Sequence, residues 1–444
     1  MPIHSRRLAS FDKKILGVSL KQKIMPRLII IADDLTGAAD TAACFAQAGL
    51  RTVVALDEAV VFLENPASFI ESVPGAGFFS DLPTVALPEV FSLSTDSRQV
   101  TADEAARRVR RAVDWLRKNR FETPGTFYYK KIDSLLRGHP AFELAAMLDA
   151  LGLDQALVAP AFPTQGRLTL AGRQVVATGS PAQQIDLGQV FSGSYGSGAQ
   201  ASLAGIHWLA LDQVRQGWAS AQPGLYIADA ESEADLEALA YAMAAQGFRL
   251  ACGSAGLARA LQRVFFQTEG RSLPAARPAK AHLPILVVAG SRAPALAHQV
   301  EAARQSGIRL LVPGASFLEG AAFQPEELGS ALADTLRGGQ PVILTTAGLP
   351  LSPLGEAMVA GRLAAVAGWL VEAGLVGGLL LTGGDTAAAV CRRLGASLIE
   401  LHGEPQPGIA AGSLLDGSHA GLPVITKAGS FECDLGLLIE EFRF

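Results

Sequence analysis

From Arg27 onward the chain alternates short apolar runs, many of them rich in β-branched residues, with longer stretches whose apolar positions recur at helical spacing. Runs of four or five apolar residues bounded by turn residues read as buried strands, and the 3.6-residue period reads as helices crossing over between them. The pattern predicts strands at Leu28–Ala32, Thr52–Leu56, Thr126–Lys130, Ala156–Pro160, Leu225–Ala228 and Phe248–Cys252, with helices such as Ala102–Lys118 and Glu233–Ala245 between them. A second series predicts strands at Ile285–Ala289, Leu310–Pro313, Val342–Thr345, Gly378–Thr382 and Val424–Lys427, with helices at Ala295–Ser306 and Pro353–Ala373. Such alternation predicts an α/β fold of two doubly wound domains facing a central cleft. The stretch Gly270–Leu283 carries two prolines and no period, so residues 271–283 read as a linker between domains at 27–270 and 284–444. The glycine- and serine-rich stretch Gln189–Ala201 reads as a surface loop. Residues 1–26 are basic, lack the apolar centre of a secretory signal, and read as a disordered leader.

Composition narrows the class. A chain of 444 residues that is 49% hydrophobic and 18% charged is too apolar for disorder and too long for one ordinary domain. Its net charge of −5 offers no basic field for nucleic acid, and no apolar run is long enough to span a membrane. Cys44, Cys252, Cys391 and Cys433 form no C-x-x-C pair, which argues against a zinc ribbon or disulfide framework and fits a reducing, cytoplasmic setting. Cys252 reads as a small buried residue. Partners should be small molecules, with a homo-oligomer left open.

Polar residues gather where the predicted strands end. Asp33 and Asp34 follow the first strand, and Thr36-Gly37 opens a helix whose free amides can receive an anion; the plainer reading makes Asp34 a helix cap. Thr95, Asp96, Ser97 and Arg98 follow another apolar run, with Arg98 able to hold a carboxylate in a bidentate fork. Arg107, Arg108, Arg110 and Arg111, on the helix that follows, read as a solvated face. Lys130, Lys131, Asp133 and Arg137 crowd the end of a third strand, and so many polar groups there point to an anionic ligand. The segment APAFPTQGRLTLAGRQ, 159–174, cannot be a regular helix; it is a rigid loop carrying Arg167 over a site or a structural connector. In the second series Gly290-Ser291, Gly383-Gly384-Asp385-Thr386 and Lys427 with Gly429 are three short polar turns at strand ends, together a candidate nucleotide pocket. Neither a Walker P-loop nor a G-x-G-x-x-G fingerprint occurs.

With ADDLTGAAD, TDSR, KKIDSLLRG, APAFPTQGR, GSAGLA at 253–258, the Gly290-Ser291 turn, GGDT at 383 and KAGSF at 427 in that order, the chain resembles the four-carbon acid sugar kinase family over nearly all of its length after residue 26. The resemblance implies an N-terminal acid-sugar-binding domain and a C-terminal nucleotide-binding domain. It also implies transfer of the γ-phosphate of ATP, with Mg²⁺, to the terminal hydroxyl of threonate, erythronate or 3-oxo-tetronate. By similarity Asp33 or Asp34, Arg51 and Thr95–Arg98 would lie at the substrate, and Ser291, Gly383–Thr386 and Gly429 at ATP. One of the two aspartates would orient the hydroxyl and accept its proton, with Arg98, Arg51 or Lys131 on the substrate carboxylate. Two positions depart from the family pattern: Leu135 stands where threonine is usual, and Glu432 where glycine often follows Phe431. The alternatives are a dinucleotide-dependent oxidoreductase and a sensor that binds sugar acid and nucleotide without turnover.

Overall fold

Five consecutive apolar residues make β1, Leu28–Ala32, and all five are buried because helices cover both faces of the sheet. The structure is a computed structural model that describes residues 27–56, 88–119, 121, 123–176, 183–192, 205–220, 222–266, 284–314, 317–319, 323–350 and 352–442. The leader, the linker 271–283 and most of the glycine-serine loop expected from the sequence lie outside the described residues.

In the N-terminal domain β2 (Thr52–Ala55), β3 (Val90–Ser94), β4 (Phe127–Lys131) and β5 (Gln155–Ala159) join β1 in a parallel sheet. A small antiparallel sheet of β6 (Arg167–Leu170), β7 (Arg173–Val176) and β8 (Gln183–Asp186) stands apart from it. Then β9 (Ile206–Leu209), β10 (Gly224–Ala228) and β11 (Leu250–Gly253) complete the order β2-β3-β1-β4-β11-β5-β10-β9. The C-terminal domain contributes β12 (Ile285–Ala289), β13 (Arg309–Leu311), β14 (Val342–Thr345), β15 (Gly378–Thr382), β16 (Leu398–Gln406), β17 (Ile409–Leu414) and β18 (Pro423–Lys427). Its order is β13-β14-β12-β15-β18-β17-β16, the last two strands antiparallel. Strand β9, the small sheet and the β16–β17 hairpin are additions to the expected pattern. The strands of the small sheet are short and partly exposed, and β16 is register-shifted against β17, which is largely buried but broken by Gly412 and Ser413.

The two domains share one sheet. Strand β16 pairs antiparallel with β2, from Leu398 opposite Ala55 to Leu401 opposite Thr52, so the fifteen strands are continuous. Six strand-to-strand steps separate β1 from β15, and these two run in opposite senses. At roughly 20–25° of twist per step the rotation accumulates to roughly 120–150°, enough to turn both carboxyl ends toward one cleft.

The helix Leu35–Gln47 wedges between the domains. It packs on β1, β2 and β3, on the helix Ala255–Phe265, and on β16 and β17. Every residue from Leu35 to Ala46 is buried, which explains its composition: alanine and glycine let neighbouring backbones approach on all sides, and no polar face exists.

Beneath the opposite face of the sheet the Lys130 ammonium lies 2.7 Å from Glu143, on the helix Pro140–Leu151, with both side chains essentially inaccessible. The second Glu143 oxygen accepts from Ser97 at 2.5 Å, and Thr95 Oγ1 lies 2.7 Å from Ser97 Oγ. Lys130 is therefore a buried structural ion, not a substrate cation, because alternation along β4 sends it to the face opposite Lys131. Breaking such a pair from one side strands a charge. Glu143→Ala should cost about 3–5 kcal/mol in urea unfolding, and the double replacement Lys130→Met with Glu143→Leu clearly less.

Candidate functional site

At β1 the neighbours change from β3 on one side to β4 on the other, a topological switch point at whose carboxyl end ligands of open α/β sheets collect. Asp33 and Asp34 sit there. Asp34 caps the helix Leu35–Gln47: Oδ1 accepts from the Gly37 amide at 2.8 Å, and Oδ2 accepts from the Thr36 hydroxyl at 2.8 Å. Arg98 lies across the pair, forked onto Asp33 at 2.7 and 2.8 Å and reaching Asp34 at 2.9 Å. Burial alone would raise the Asp33 carboxyl; the Arg98 charge and hydrogen bonds, with Lys130 and Lys131 behind them, hold it below the ordinary range.

Two adjoining cavities open here. The larger, about 470 Å³, is lined from the N-terminal domain by Asp34, Thr36, Asp96, Arg98, Gln99 and Arg137. From the other domain it takes the turns after β12 (Gly290, Ser291), β15 (Gly383 to Thr386) and β18 (Gly429, Ser430). These turns interlock. A Cβ on Gly429 would overlap the Ser291 hydroxyl, one on Gly290 would overlap Thr386, and Gly383, at φ +98°, sits against Ser291. A Cβ on Gly384 would lie 2.9 Å from Asp34 Oδ2, so the nucleotide-type turn touches the carboxylate of the opposite domain. The same lining includes the apolar side chains Leu318, Pro350, Val359 and Ala360. The smaller cavity, about 40 Å³, adjoins it and is lined by Asp34, Asp40, Lys131, Asp133, Arg167 and Ser254 among others.

The expected residues divide on this geometry. Asp34, Asp96, Arg98, Arg137, Ser291, Gly383, Gly384, Asp385, Thr386 and Gly429 line the larger cavity, while Lys131 and Asp133 line the smaller one. Asp33, Thr95 and Ser97 are buried behind the wall, where the Ser97 amide donates to the Asp33 carbonyl at 2.9 Å. The structure does not bring Arg51 to either cavity; it pairs with Glu400 at 3.0 Å where β2 meets β16. Lys427 is fully buried behind its turn, donates to the Ala428 carbonyl at 3.1 Å, and is pulled down to about 8 by burial. Arg108 is not purely solvated, since it donates to the Thr95 carbonyl at 3.2 Å and steadies that loop. Leu135 lines the smaller cavity, and Glu432 is exposed beside Phe431.

Gln99, Thr346, Glu356, Asp40 and Ser254 line the cavities in addition to the expected residues, and Arg167, which the sequence left between a site residue and a connector, lines the smaller one. Arg167 and Ser254 stood inside noticed motifs, and Asp40 inside ADDLTGAAD. Glu356 and Thr346 had no signal, because only the tertiary fold carries the starts and ends of those elements to the cleft. Gln99 bridges the rim to Asp385 at 3.3 Å, and Arg392 meets Asp96 at 3.4 Å.

Of the carboxylates facing the larger cavity, Asp34 pairs with Arg98 and Asp96 with Arg392, whereas Asp385 has no ion pair among the described residues. Burial first, then Asp96, Asp34 and Glu356, raises the Asp385 carboxyl. Among the described residues no three His, Cys, Asp or Glu side chains form a preformed metal cage. One or two carboxylates facing a phosphate-sized space nevertheless suit Mg²⁺, which keeps its waters and rides on phosphates.

Residues 28–261 match the family model of a sugar-binding N-terminal domain, and residues 286–431 that of a nucleotide-binding C-terminal domain. A D-threonate kinase of Bordetella bronchiseptica is 33% identical over 91% of this chain and 94% of its own. The chain belongs to the four-carbon acid sugar kinase family. Membership makes it a phosphotransferase with an alcohol acceptor and sets aside the oxidoreductase and the silent sensor. A D-erythronate kinase of Heliobacterium modesticaldum is 29% identical over 91% of this chain and 94% of its own. A solved structure from Salmonella typhimurium, 21% identical, superposes with a TM-score of 0.69 over 95% of this chain and 100% of its own, a likeness of fold.

Two outcomes follow from this packing. Gly429→Ala must displace Ser291, so nucleotide affinity measured by calorimetry should fall at least tenfold while the far-ultraviolet spectrum stays unchanged. Asp40 is raised to about 6 by burial, only partly offset by Arg259 and Lys131. Its folded form holds a proton that the unfolded chain has lost, so the stability it contributes is full below about pH 4 and is lost as pH rises through about 6. Asp40→Asn should therefore gain on the native protein between pH 4 and 7, on the order of 3 kcal/mol in denaturant titrations.

Proposed function

We propose that the protein transfers the γ-phosphoryl group of ATP to the terminal hydroxyl of a four-carbon sugar acid of the threonate, erythronate or 3-oxo-tetronate class. The observation that carries this reading is the position of Asp34. It lines both cavities, and of the groups common to the two linings (Asp34, Thr36, Arg98, Arg137, Ala428 and Ser430) it is the carboxylate. An acid seated in the smaller cavity presents its far hydroxyl to Asp34, and phosphates seated on the Gly383-Gly384 turn arrive at the same oxygen atoms.

Phosphoryl transfer asks mainly for alignment and for charge stabilisation. Thr36, Gly37 and Arg98 fix the Asp34 carboxylate, so one oxygen can orient the acceptor hydroxyl and take its proton as the bond to phosphorus forms. The amides opening the helix Gly384–Arg393 point their positive end at the phosphates. Arg98 and Arg137 border the transfer point and offset the charge that spreads over the moving group. Ser291 and Thr386 supply hydroxyls to the nucleotide, whose base packs on apolar lining side chains such as Leu318, Pro350 and Val359. Mg²⁺ would be held by Asp385 with Asp34 or Asp96 and would neutralise phosphate charge. Asp33 touches neither reactant and acts by holding Arg98. Closure of the two walls keeps out water, the competing acceptor.

Coupled ADP release with D-threonate, D-erythronate and 3-oxo-tetronate tests the assignment; turnover no higher than background with all three overturns it. Asp34→Asn should lower kcat by about 10²- to 10⁴-fold with little change in the KM for ATP, whereas a loss below threefold would remove Asp34 from the reaction.

A further inference from the structure

The cations around the smaller cavity are not equivalent. Arg98 is committed to Asp33 and Asp34, and Arg137 is forked onto Asp133 at 2.7 and 2.9 Å. Arg167 is different. It is 6% exposed, lines the smaller cavity, and among the described residues its guanidinium has neither an ion pair nor a hydrogen bond, with Nε wholly buried and unpartnered. Arginine cannot shed its charge in a protein, so a buried guanidinium without a partner is costly in the free state and needs a reason.

Its backbone shows that the position is built. The Phe162 amide donates to the Arg167 carbonyl at 2.7 Å, and the Arg167 amide donates back to the Phe162 carbonyl at 3.1 Å. The turn Pro163–Gln165 with Gly166 at φ +64° closes this clamp. Gln174 Nε2, on β7, donates to the carbonyls of Ser134 at 3.0 Å and Pro160 at 3.3 Å, fastening the small sheet to the loops after β4 and β5. On the same cavity wall Lys131 Nζ donates to the Ile132 carbonyl at 2.9 Å and, among the described residues, meets no carboxylate in an ion pair. A volume of about 40 Å³ takes roughly three water-sized groups, the size of a carboxylate and the carbon that bears it.

We infer that Arg167, aided by Lys131, is the receptor for the substrate carboxylate and sets the preference for an acid over a neutral polyol. The inference rests on the proposed kinase reading and deepens it: the carboxylate end goes to Arg167 in the smaller cavity, and the hydroxyl end faces Asp34. Arg98, the fork that sequence pointed to, is already occupied by two carboxylates of the protein. Burial lowers the Arg167 guanidinium from its ordinary value, with Asp133 pulling the other way, as befits a cation awaiting an anion.

The test compares the full-length protein with Arg167→Met and Arg167→Lys. Kinetics would use D-threonate, D-erythronate and 3-oxo-tetronate, with the neutral alditols threitol and erythritol alongside. Arg167→Met should raise the KM of the acid substrate at least 100-fold, leave the KM of ATP within threefold, and bring the acid-to-alditol ratio of kcat/KM toward one. Arg167→Lys should fall between. Because the substitution removes an unpaired buried charge, ligand-free Arg167→Met should melt no lower than the native protein, and the melting shift produced by the acid should vanish.

An acid KM within threefold of native in Arg167→Met overturns the inference. So does a ligand-free melting temperature clearly below native, or failure of Arg167→Met to fold while Arg167→Lys keeps the native KM. If the native protein binds one of the acids by calorimetry without turning it over, the kinase reading fails, and the comparison passes to Kd with the same 100-fold expectation. A native protein that binds none of the three acids overturns both.

Discussion

Arg98 lying across Asp33 and Asp34 is the contact on which the site depends. Two adjacent carboxylates at the end of a buried strand repel each other, and one guanidinium within 2.9 Å of both makes the arrangement tolerable. The consequences spread outward. Asp34 is freed to cap the interdomain helix and face both cavities, the loop after β3 is drawn to β1 through the Asp33 carbonyl, and Arg98 is used up. A second cation must then meet the anionic end of a substrate, and Arg167 stands where that end would lie.

The walls of the cleft are held unequally. At the base, β16 continues the sheet of the N-terminal domain through backbone pairing, and the helix Leu35–Gln47 is packed on every side. Arg259 adds an ion pair to Glu404 across the same junction, with Asp40 behind it. At the rim the domains meet through half-exposed side chains, Gln99 with Asp385 and Arg392 with Asp96. Exposed pairs of that kind contribute about 0–1 kcal/mol each, so the contacts least costly to break lie where ligands enter.

Charge is arranged on a smaller scale than the net value of −5 conveys. The smaller cavity sets Arg98, Lys131, Arg137 and Arg167 against Asp34, Asp40 and Asp133, whereas the wider one sets Arg98, Arg137 and Arg292 against Asp34, Asp96, Asp385 and Glu356. Cations outnumber carboxylates by four to three in the first and are outnumbered three to four in the second. Global acidity argues against long polyanions without bearing on either.

The chain's own pattern determined the alternating α/β order, the paired series and the crowding of polar groups at strand ends, because buried parallel strands and capped helices each require a local signature. Asp34, Gly383, Gly384 and Ser291 were legible for that reason: each sits beside the strand whose end it serves. Tertiary structure decided the rest. Which face of β4 carries Lys130 and which Lys131 follows from the helix packed beneath, so two neighbouring lysines with one apparent role separate into a buried ion pair and a cavity cation. Arg98 and Arg167 look alike as residues, yet one meets two carboxylates 64 and 65 positions away and the other meets none among the described residues. Partnership across such separations depends on strand order and twist, and no local stretch of sequence contains either.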